Sequence, residues 1–249
     1  MPWADWIVSR SSTHCFGIKS AGRIGRVGFR LRRFQEELDE LKVLSKICGI
    51  TRLDDAHAVV RAGADAMGLN FVEQSPRHVS LSTAGDLADA VAGRLTRVGL
   101  FFNAPAACVE HTLSRVDLDI LQFHGDESAE YCRSFRLPYM KAIRVAGTLN
   151  IEALEAEYHD ACCLLLDTFV PGQPGGTGQS FDWSLWPENA NIPLVLAGGL
   201  TPANVAEAIA RTQPYGVDVS GGVESGQSGQ KDPEKVMKFV WEVGSAGIQ

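Results

Sequence analysis

From Val43 onward the chain alternates between short apolar runs and segments whose apolar positions recur at helical spacing. The first run, residues 43–48 (VLSKIC), has the length and composition of a buried β-strand. In residues 51–63 (TRLDDAHAVVRAG) apolar residues share one helical face, acids lie in the first half and a glycine closes the segment. This strand-then-helix pattern is repeated to the end of the chain.

Eight strands and seven helices are predicted in this way. The other predicted strands cover residues 66–72, 97–102, 119–123, 139–145, 162–167, 193–197 and 215–220. The other predicted helices cover residues 82–92, 105–115, 124–135, 150–158, 201–211 and 232–243. Strands that alternate with helices indicate a parallel sheet.

Eight such units predict an α/β fold of the (β/α)8 TIM-barrel class, a single domain over residues 43–249. The alternative is a doubly wound open sheet. That fold is less favoured, because no GxGxxG follows the first strand and glycine pairs instead follow the last two strands.

Residues 1–42 do not share this pattern. Residues 1–34 contain seven basic side chains and one acidic side chain, a formal charge of +6, whereas residues 35–249 carry −13. This Arg- and Ser-rich composition resembles an organellar transit peptide. It equally fits a disordered tail, or translation from a start codon upstream of the true one. We favour these last two interpretations and expect a disordered N-terminal extension without a catalytic role.

Composition excludes several classes of function. A formal net charge of −7 argues against a nucleic-acid partner, and no apolar run approaches the ~18 residues of a membrane span. None of the six cysteines has CxxC or Cys/His ligand spacing, so no metal site is expected. Free thiols are typical of a reducing compartment, which predicts a cytoplasmic protein.

Two polar residues at strand ends form the candidate acid–base pair. In such barrels the site lies at the carboxyl ends of the strands, where Cys48 and Asp167 are found. The structural alternatives are a small buried apolar residue for Cys48 and a turn or capping residue for Asp167. Lys46 points to the same face as Cys48, and Asp218 on the neighbouring last strand is placed to pair with it. Net positive charge there would favour the thiolate.

Glycine pairs at the ends of the last two strands predict a phosphate site. Gly198–Gly199 and Gly221–Gly222 let the backbone approach an anion, and the N-terminus of the following helix offers free N–H groups. Ser220 lies beside the second pair. A glycine-rich stretch that includes Gly176 is expected to close over the ligand.

Three further side chains are candidates for the pocket wall. Arg77, in SPRHVS after the second strand, carries a guanidinium suited to a carboxylate, although a lone loop arginine is usually solvated. Gln122 and His124, in LQFHG, lie two residues apart at the end of the fourth strand, where His124 alternatively only begins the loop.

Together these segments resemble the phosphoribosylanthranilate isomerase family of tryptophan biosynthesis. The resemblance covers the chain from about Lys46 to the last helix and excludes the N-terminal forty-odd residues. The matching segments, in order, are KICGITRLDDA, GADAMGLNF, SPRHVS, GLFFN, LQFHGDE, LLLDT, GGTGQSFDW, LAGGLTPANV and GVDVSGGVES.

The resemblance implies an Amadori rearrangement of N-(5-phosphoribosyl)anthranilate to 1-(2-carboxyphenylamino)-1-deoxyribulose 5-phosphate. It implies that Asp167 is the general acid, that Cys48 is the general base and that Arg77 holds the anthranilate carboxylate. It implies no cofactor. A small phosphorylated substrate is then the expected partner, for an enzyme that is a monomer or a homodimer.

Two other functions stay open from the residues alone. One is another phosphate-binding barrel, such as a sugar-phosphate epimerase or an indole-glycerol-phosphate synthase. The synthase chemistry depends on lysine and glutamate at strand ends, and Lys141 is the only comparable lysine. The other is an inactive barrel that senses a phosphorylated metabolite, which the presence of both Cys48 and Asp167 disfavours.

Overall fold

A computed structural model describes residues 42–168 and 182–246. Its strands are β1 (Leu44–Ile47), β2 (Ala66–Asn70), β3 (Thr96–Phe101), β4 (Ile120–Phe123), β5 (Tyr139–Val145), β6 (Cys163–Thr168), β7 (Leu194–Leu196) and β8 (Gly216–Val219). They are parallel and pair in sequence order, and β8 pairs with β1 to close a barrel. The predicted (β/α)8 barrel is confirmed.

Helices follow most of the strands in this part of the chain. They are α1 (Leu53–Ala62), α2 (Leu81–Ala90), α3 (Ala106–Leu113), α4 (Ala129–Arg133), α5 (Ile151–Glu157), α6 (Val205–Thr212) and α7 (Pro233–Ala246). Two 3₁₀ turns, Trp183–Leu185 and Gly221–Val223, were not predicted.

Helix α4 is much shorter than the predicted span of 124–135. The residues before it form a loop, because the Glu127 carboxylate accepts hydrogen bonds from the backbone N–H groups of Asn103 and Gly125. Ser128 then caps the helix by accepting a hydrogen bond from the N–H of Tyr131.

The alternation of side chains along each strand separates two apolar layers. One layer lies between the sheet and the helices. The other fills the barrel and consists of Leu44, Ala66, Val98, Ile120, Met140, Ala142, Cys162, Cys163, Leu165, Val195 and Ala197, with Tyr215 packed against it. Counting in twos from Leu44 reaches Lys46 and Cys48, and counting from Cys163 reaches Asp167. Strand periodicity therefore directs both candidate side chains toward the upper end of the barrel interior.

Of the predicted extension, residues 1–42, only Lys42 belongs to the described residues. The division of the chain at residue 43 therefore stays a prediction. No helix among the described residues is long and apolar enough to cross a membrane. Likewise, residues 42–168 and 182–246 contain no group of three or more His, Cys, Asp or Glu side chains placed to hold a metal ion.

Candidate active site

A cavity of about 330 Å³ opens at the carboxyl ends of the strands. Ten predicted site residues line it: Cys48, Arg77, Gln122, His124, Asp167, Gly198, Gly199, Ser220, Gly221 and Gly222. The eleventh, Gly176, lies outside the described residues. The structure therefore brings ten of the predicted residues to one cavity, while their individual roles stay predictions.

A buried ion pair lies beneath Cys48. Lys46 and Asp218 are partners in the β1–β8 register, and the Lys46 Nζ donates to Asp218 Oδ1 at 2.8 Å. The lysine is completely buried. Burial lowers the pKa of Lys46, but the charge of Asp218 and its hydrogen bond outweigh this effect, so the net pKa of Lys46 is raised. The ion pair expected from the strand register is thus present.

The net positive charge that would favour a Cys48 thiolate is not present, because Lys46 is paired with Asp218. Burial of the thiol raises the pKa of Cys48, and Lys46 offsets this effect only in part. The reason is that the Lys46 charge is already compensated by Asp218, whose own charge also raises the pKa of Cys48. Burial and the Asp218 charge therefore favour the neutral thiol of Cys48.

Close packing fixes the position of the thiol. A side-chain carbon at Gly68 on β2 would lie 2.8 Å from the Cys48 Sγ, so only glycine leaves room for the sulfur. The Cys48 backbone N–H donates to the carbonyl of Val219 at 2.8 Å, and the Ser220 hydroxyl donates to the Cys48 carbonyl at 3.1 Å. Val219 at the end of β8 and Ser220 directly after it therefore hold both the N–H and the carbonyl group of Cys48.

Asp167 is in contact with His124. The Asp167 Oδ2 lies 3.2 Å from the His124 Nε2, and the His124 Nδ1 lies 3.0 Å from the Gln122 Nε2. With the amide donating, the His124 Nδ1 accepts and the Nε2 carries the hydrogen that faces the carboxylate. Among the described residues, no partner is found for the buried Gln122 Oε1. The sequence predicted these three side chains in the pocket, but it did not predict the chain of contacts from Gln122 through His124 to Asp167.

Arg77 is held by an acid that sequence reasoning missed. Its Nε and Nη2 donate to the two carboxylate oxygens of Glu224 at 2.7 and 2.9 Å. The hydrogen bonds to Glu224 raise the pKa of Arg77, so this guanidinium stays charged. Lys231 also donates to Glu224, at 3.2 Å. Glu224 lies within the quoted segment GVDVSGGVES, but sequence gives no signal that a charge in a glycine-rich turn is buried.

The first glycine pair has a left-handed backbone conformation, which favours glycine. Gly198 and Gly199 have φ values of 86° and 63°. A side-chain carbon at Gly222 would lie 1.9 Å from the carbonyl oxygen of Leu200, so the loops after β7 and β8 touch at this glycine. The two loops together form one wall of the cavity.

Lys141 is not available for lysine chemistry in the cavity. Its side chain is buried on the outer face of β5, where the Nζ donates to Glu127 at 2.9 Å and to the carbonyl of Gly125. It is absent from the cavity lining. This placement removes the main residue that favoured a synthase.

Known proteins match most of this chain. The family described as N-(5'phosphoribosyl)anthranilate (PRA) isomerase matches residues 45–242. An N-(5'-phosphoribosyl)anthranilate isomerase of Pseudomonas fluorescens is 54% identical over 201 residues, which are 81% of this chain and 95% of that protein.

Solved structures agree with this match. Phosphoribosyl anthranilate isomerase from Thermotoga maritima has a TM-score of 0.73 and 38% identity, over 81% of this chain and 98% of that one. A phosphoribosyl anthranilate isomerase in complex with reduced 1-(o-carboxyphenylamino)-1-deoxyribulose 5-phosphate has a TM-score of 0.68 and 35% identity, with the same two coverages. By sequence and by fold, the chain belongs to the N-(5'-phosphoribosyl)anthranilate isomerase family.

Proposed function

We propose that this isomerase of tryptophan biosynthesis converts N-(5-phosphoribosyl)anthranilate with Asp167 as general acid and Cys48 as general base. The observation that carries the assignment is that a buried thiol directly after β1 and a buried carboxyl group on β6 line the same cavity. Two strands, β7 and β8, separate them around the closed barrel. This spacing lets a sugar lie between an acid on one side and a base on the other.

The rearrangement opens the ring first. Asp167 gives its proton to the furanose ring oxygen, the bond from that oxygen to C1 breaks, and the nitrogen lone pair forms a C1=N Schiff base. Cys48, as thiolate, removes the proton from C2, and those electrons form a C1=C2 bond while the nitrogen regains its lone pair. The enol hydroxyl then loses its proton as C1 gains one, which gives the ketone.

His124 is placed to assist the acid. Its Nε2 hydrogen faces the carboxylate that Asp167 becomes after proton donation, at 3.2 Å. A donor at this distance stabilises the charged form as it appears. Gln122 fixes the ring by contacting the Nδ1. We assign His124 and Gln122 to this support as well as to the pocket wall.

The base must first lose its proton. Burial raises the pKa of Cys48, so at neutral pH only a minor fraction of the enzyme carries the thiolate. At pH values below the pKa, the thiolate fraction increases about tenfold for each unit by which the pH rises. Because Asp167 must still be protonated, the rate is expected to rise with pH and then fall, in a bell-shaped profile.

Binding is assigned to two separate parts of the cavity. Arg77 lines the cavity beside Ser220 and is proposed to hold the anthranilate carboxylate. The loops with Gly198–Gly199 and Gly221–Gly222 are proposed to hold the phosphate through backbone N–H groups. With these assignments the substrate is bound at its carboxylate and at its phosphate, and the ribose lies between the acid and the base.

Loss of phosphoribosylanthranilate fluorescence on adding the purified protein tests the function. The expected result is complete, enzyme-dependent loss without added metal or cofactor. An inactive protein that still binds the substrate would favour the sensor.

The oligomeric state and the location stay proposals. We propose a monomer or a homodimer, which light scattering of the purified protein would distinguish. A larger assembly would contradict this expectation. The cytoplasmic location, inferred from the unpaired cysteines, would be checked by imaging of the full chain.

A further inference from the structure

Two buried charges next to the cavity have no role in the steps above. Glu224 and Lys231 are the first and last residues of the short loop 224–231, which follows the Gly221–Val223 turn. They are only 8% and 2% exposed. Their backbones pair in an antiparallel bridge that closes the loop. Burying charges costs folding free energy even when they are paired, so the charged cluster beside the site lowers the stability of this loop.

Glu224 makes four contacts through its carboxylate. It accepts from the Nε and Nη2 of Arg77, from the Lys231 Nζ at 3.2 Å and from the Gly229 N–H at 2.9 Å. A bidentate pair fixes the plane of the guanidinium as well as its place. Arg77 also lies across Gly49, where a side-chain carbon would come within 2.6 Å of the Arg77 Cδ. The direction of the arginine is therefore determined on both sides.

Lys231 continues the network to the base. Its Nζ donates to the Ser220 carbonyl at 3.0 Å and lies 3.5 Å from the Ser220 hydroxyl. That hydroxyl donates to the carbonyl of Cys48 at 3.1 Å. The contacts Arg77–Glu224–Lys231–Ser220–Cys48 are thus continuous.

We propose that Glu224 and Lys231 are positioning residues for the isomerisation: Glu224 orients the Arg77 guanidinium toward the substrate carboxylate, and Lys231 ties that arrangement through Ser220 to Cys48. This inference rests on the function proposed above. The cluster contains two cations and one anion, so it keeps one excess positive charge for an anionic group of the substrate.

The charges that face Cys48 give the proposal a second, signed consequence. Lys46 and Asp218 lie beneath the thiol as a pair, and Lys231 lies beyond Ser220. The charges of Lys46 and Lys231 lower the pKa of Cys48 against the larger effect of burial. Loss of the Lys231 charge should therefore raise the pKa of Cys48.

The first experiment measures recognition of the carboxylate. The parent and Glu224→Gln are assayed with phosphoribosylanthranilate and with N-(5-phosphoribosyl)aniline, which lacks only the carboxylate. For the parent, kcat/KM should fall on the order of 10²-fold without the carboxylate. For Glu224→Gln the ratio should shrink below about tenfold, mainly through a higher KM for the carboxylated substrate.

The matched control is Glu207→Gln, which also removes one negative charge but from an exposed ion pair with Arg211. It should discriminate between the two substrates as the parent does. Parent-like discrimination by Glu224→Gln would overturn the proposed role of Glu224. An inactive parent would instead refute the proposed function, and the second experiment would still test the inference.

The second experiment titrates the thiol directly. Thiolate absorbance near 240 nm is followed against pH, with the Cys48→Ser protein subtracted. The midpoint should rise by roughly 0.5–1 unit in Lys231→Met. Lys238→Met, an exposed lysine on α7, should leave the midpoint unchanged. A midpoint for Lys231→Met that matches the parent would overturn the link to Cys48.

A charge-balanced variant covers a failure to fold. Glu224→Gln leaves two cations without their shared partner, whereas Glu224→Gln/Lys231→Met keeps the cluster at one positive charge. The double variant should fold, and it should also lose discrimination for the carboxylate. A folded double variant with parent-like discrimination would overturn the proposal.

Discussion

The stability that the buried Lys46–Asp218 pair contributes beneath Cys48 can be tested quantitatively. Asp218→Asn keeps the shape and a hydrogen-bond acceptor but removes the negative charge 2.8 Å from a completely buried ammonium group. Breaking a buried pair by removing one partner typically costs about 3–5 kcal/mol. For a domain of this size that corresponds to a fall in Tm of roughly 6–20 °C.

The pH dependence has a definite sign. In the parent the pKa of Lys46 is raised, so its contribution to stability is fully present below the ordinary lysine pKa and is lost only as the pH rises through the higher folded value. In Asp218→Asn burial acts without the compensating charge and lowers the pKa of Lys46. The stability of this variant should therefore increase as the pH rises toward the ordinary lysine pKa.

Urea unfolding measured at several pH values would check both effects. Glu207→Gln, which breaks an exposed pair, should cost less than about 1 kcal/mol. Lys46→Met added to Asp218→Asn should recover part of the loss, because no unpaired charge remains. If Asp218→Asn unfolds within 1 kcal/mol of the parent and without the rising pH dependence, the idea of a charged lysine beneath Cys48 is refuted.

Three further outcomes are expected. Arg77→Ala should weaken substrate binding by about 2–5 kcal/mol in KM assays, and Arg77→Lys should restore only part, since lysine cannot reproduce the fork; parent-like KM values would make Arg77 a structural residue. Gly222→Ala should lower Tm and raise KM at least about tenfold because its side chain would meet the Leu200 carbonyl, whereas Gly244→Ala, with open space around it, should do neither. His124→Asn should lower kcat by roughly tenfold or more with a smaller change in KM; an effect on KM alone would assign His124 to substrate binding only.

The parts of this structure that follow from periodicity were predictable. Apolar runs and helical spacing located all eight strands, and barrel closure placed the last strand beside the first. For that reason the Lys46–Asp218 pair was expected from residues 172 positions apart, and the register of β1 with β8 contains it. Alternation also directed Cys48 and Asp167 into one cavity.

The contacts between loops were not predictable in the same way. Glu224 and Lys231 lie in a turn with no repeating pattern, yet both are buried, and Glu224 bonds to Arg77 from a distant loop. Sequence also showed the lysine near Cys48, but not the degree of burial that raises the pKa of the thiol. Burial and loop packing depend on the whole barrel, and local sequence does not encode them.

We propose that Cys48 supplies the base for substrate turnover. The most direct test of this proposal is the rate at which Cys48→Ser consumes phosphoribosylanthranilate, followed by fluorescence, with the exposed Cys108→Ser as the matched control. We predict that kcat falls by at least about 10²-fold with little change in KM, while the control matches the parent. A Cys48→Ser enzyme with near-parent kcat would contradict the mechanism, even if the substrate is correct.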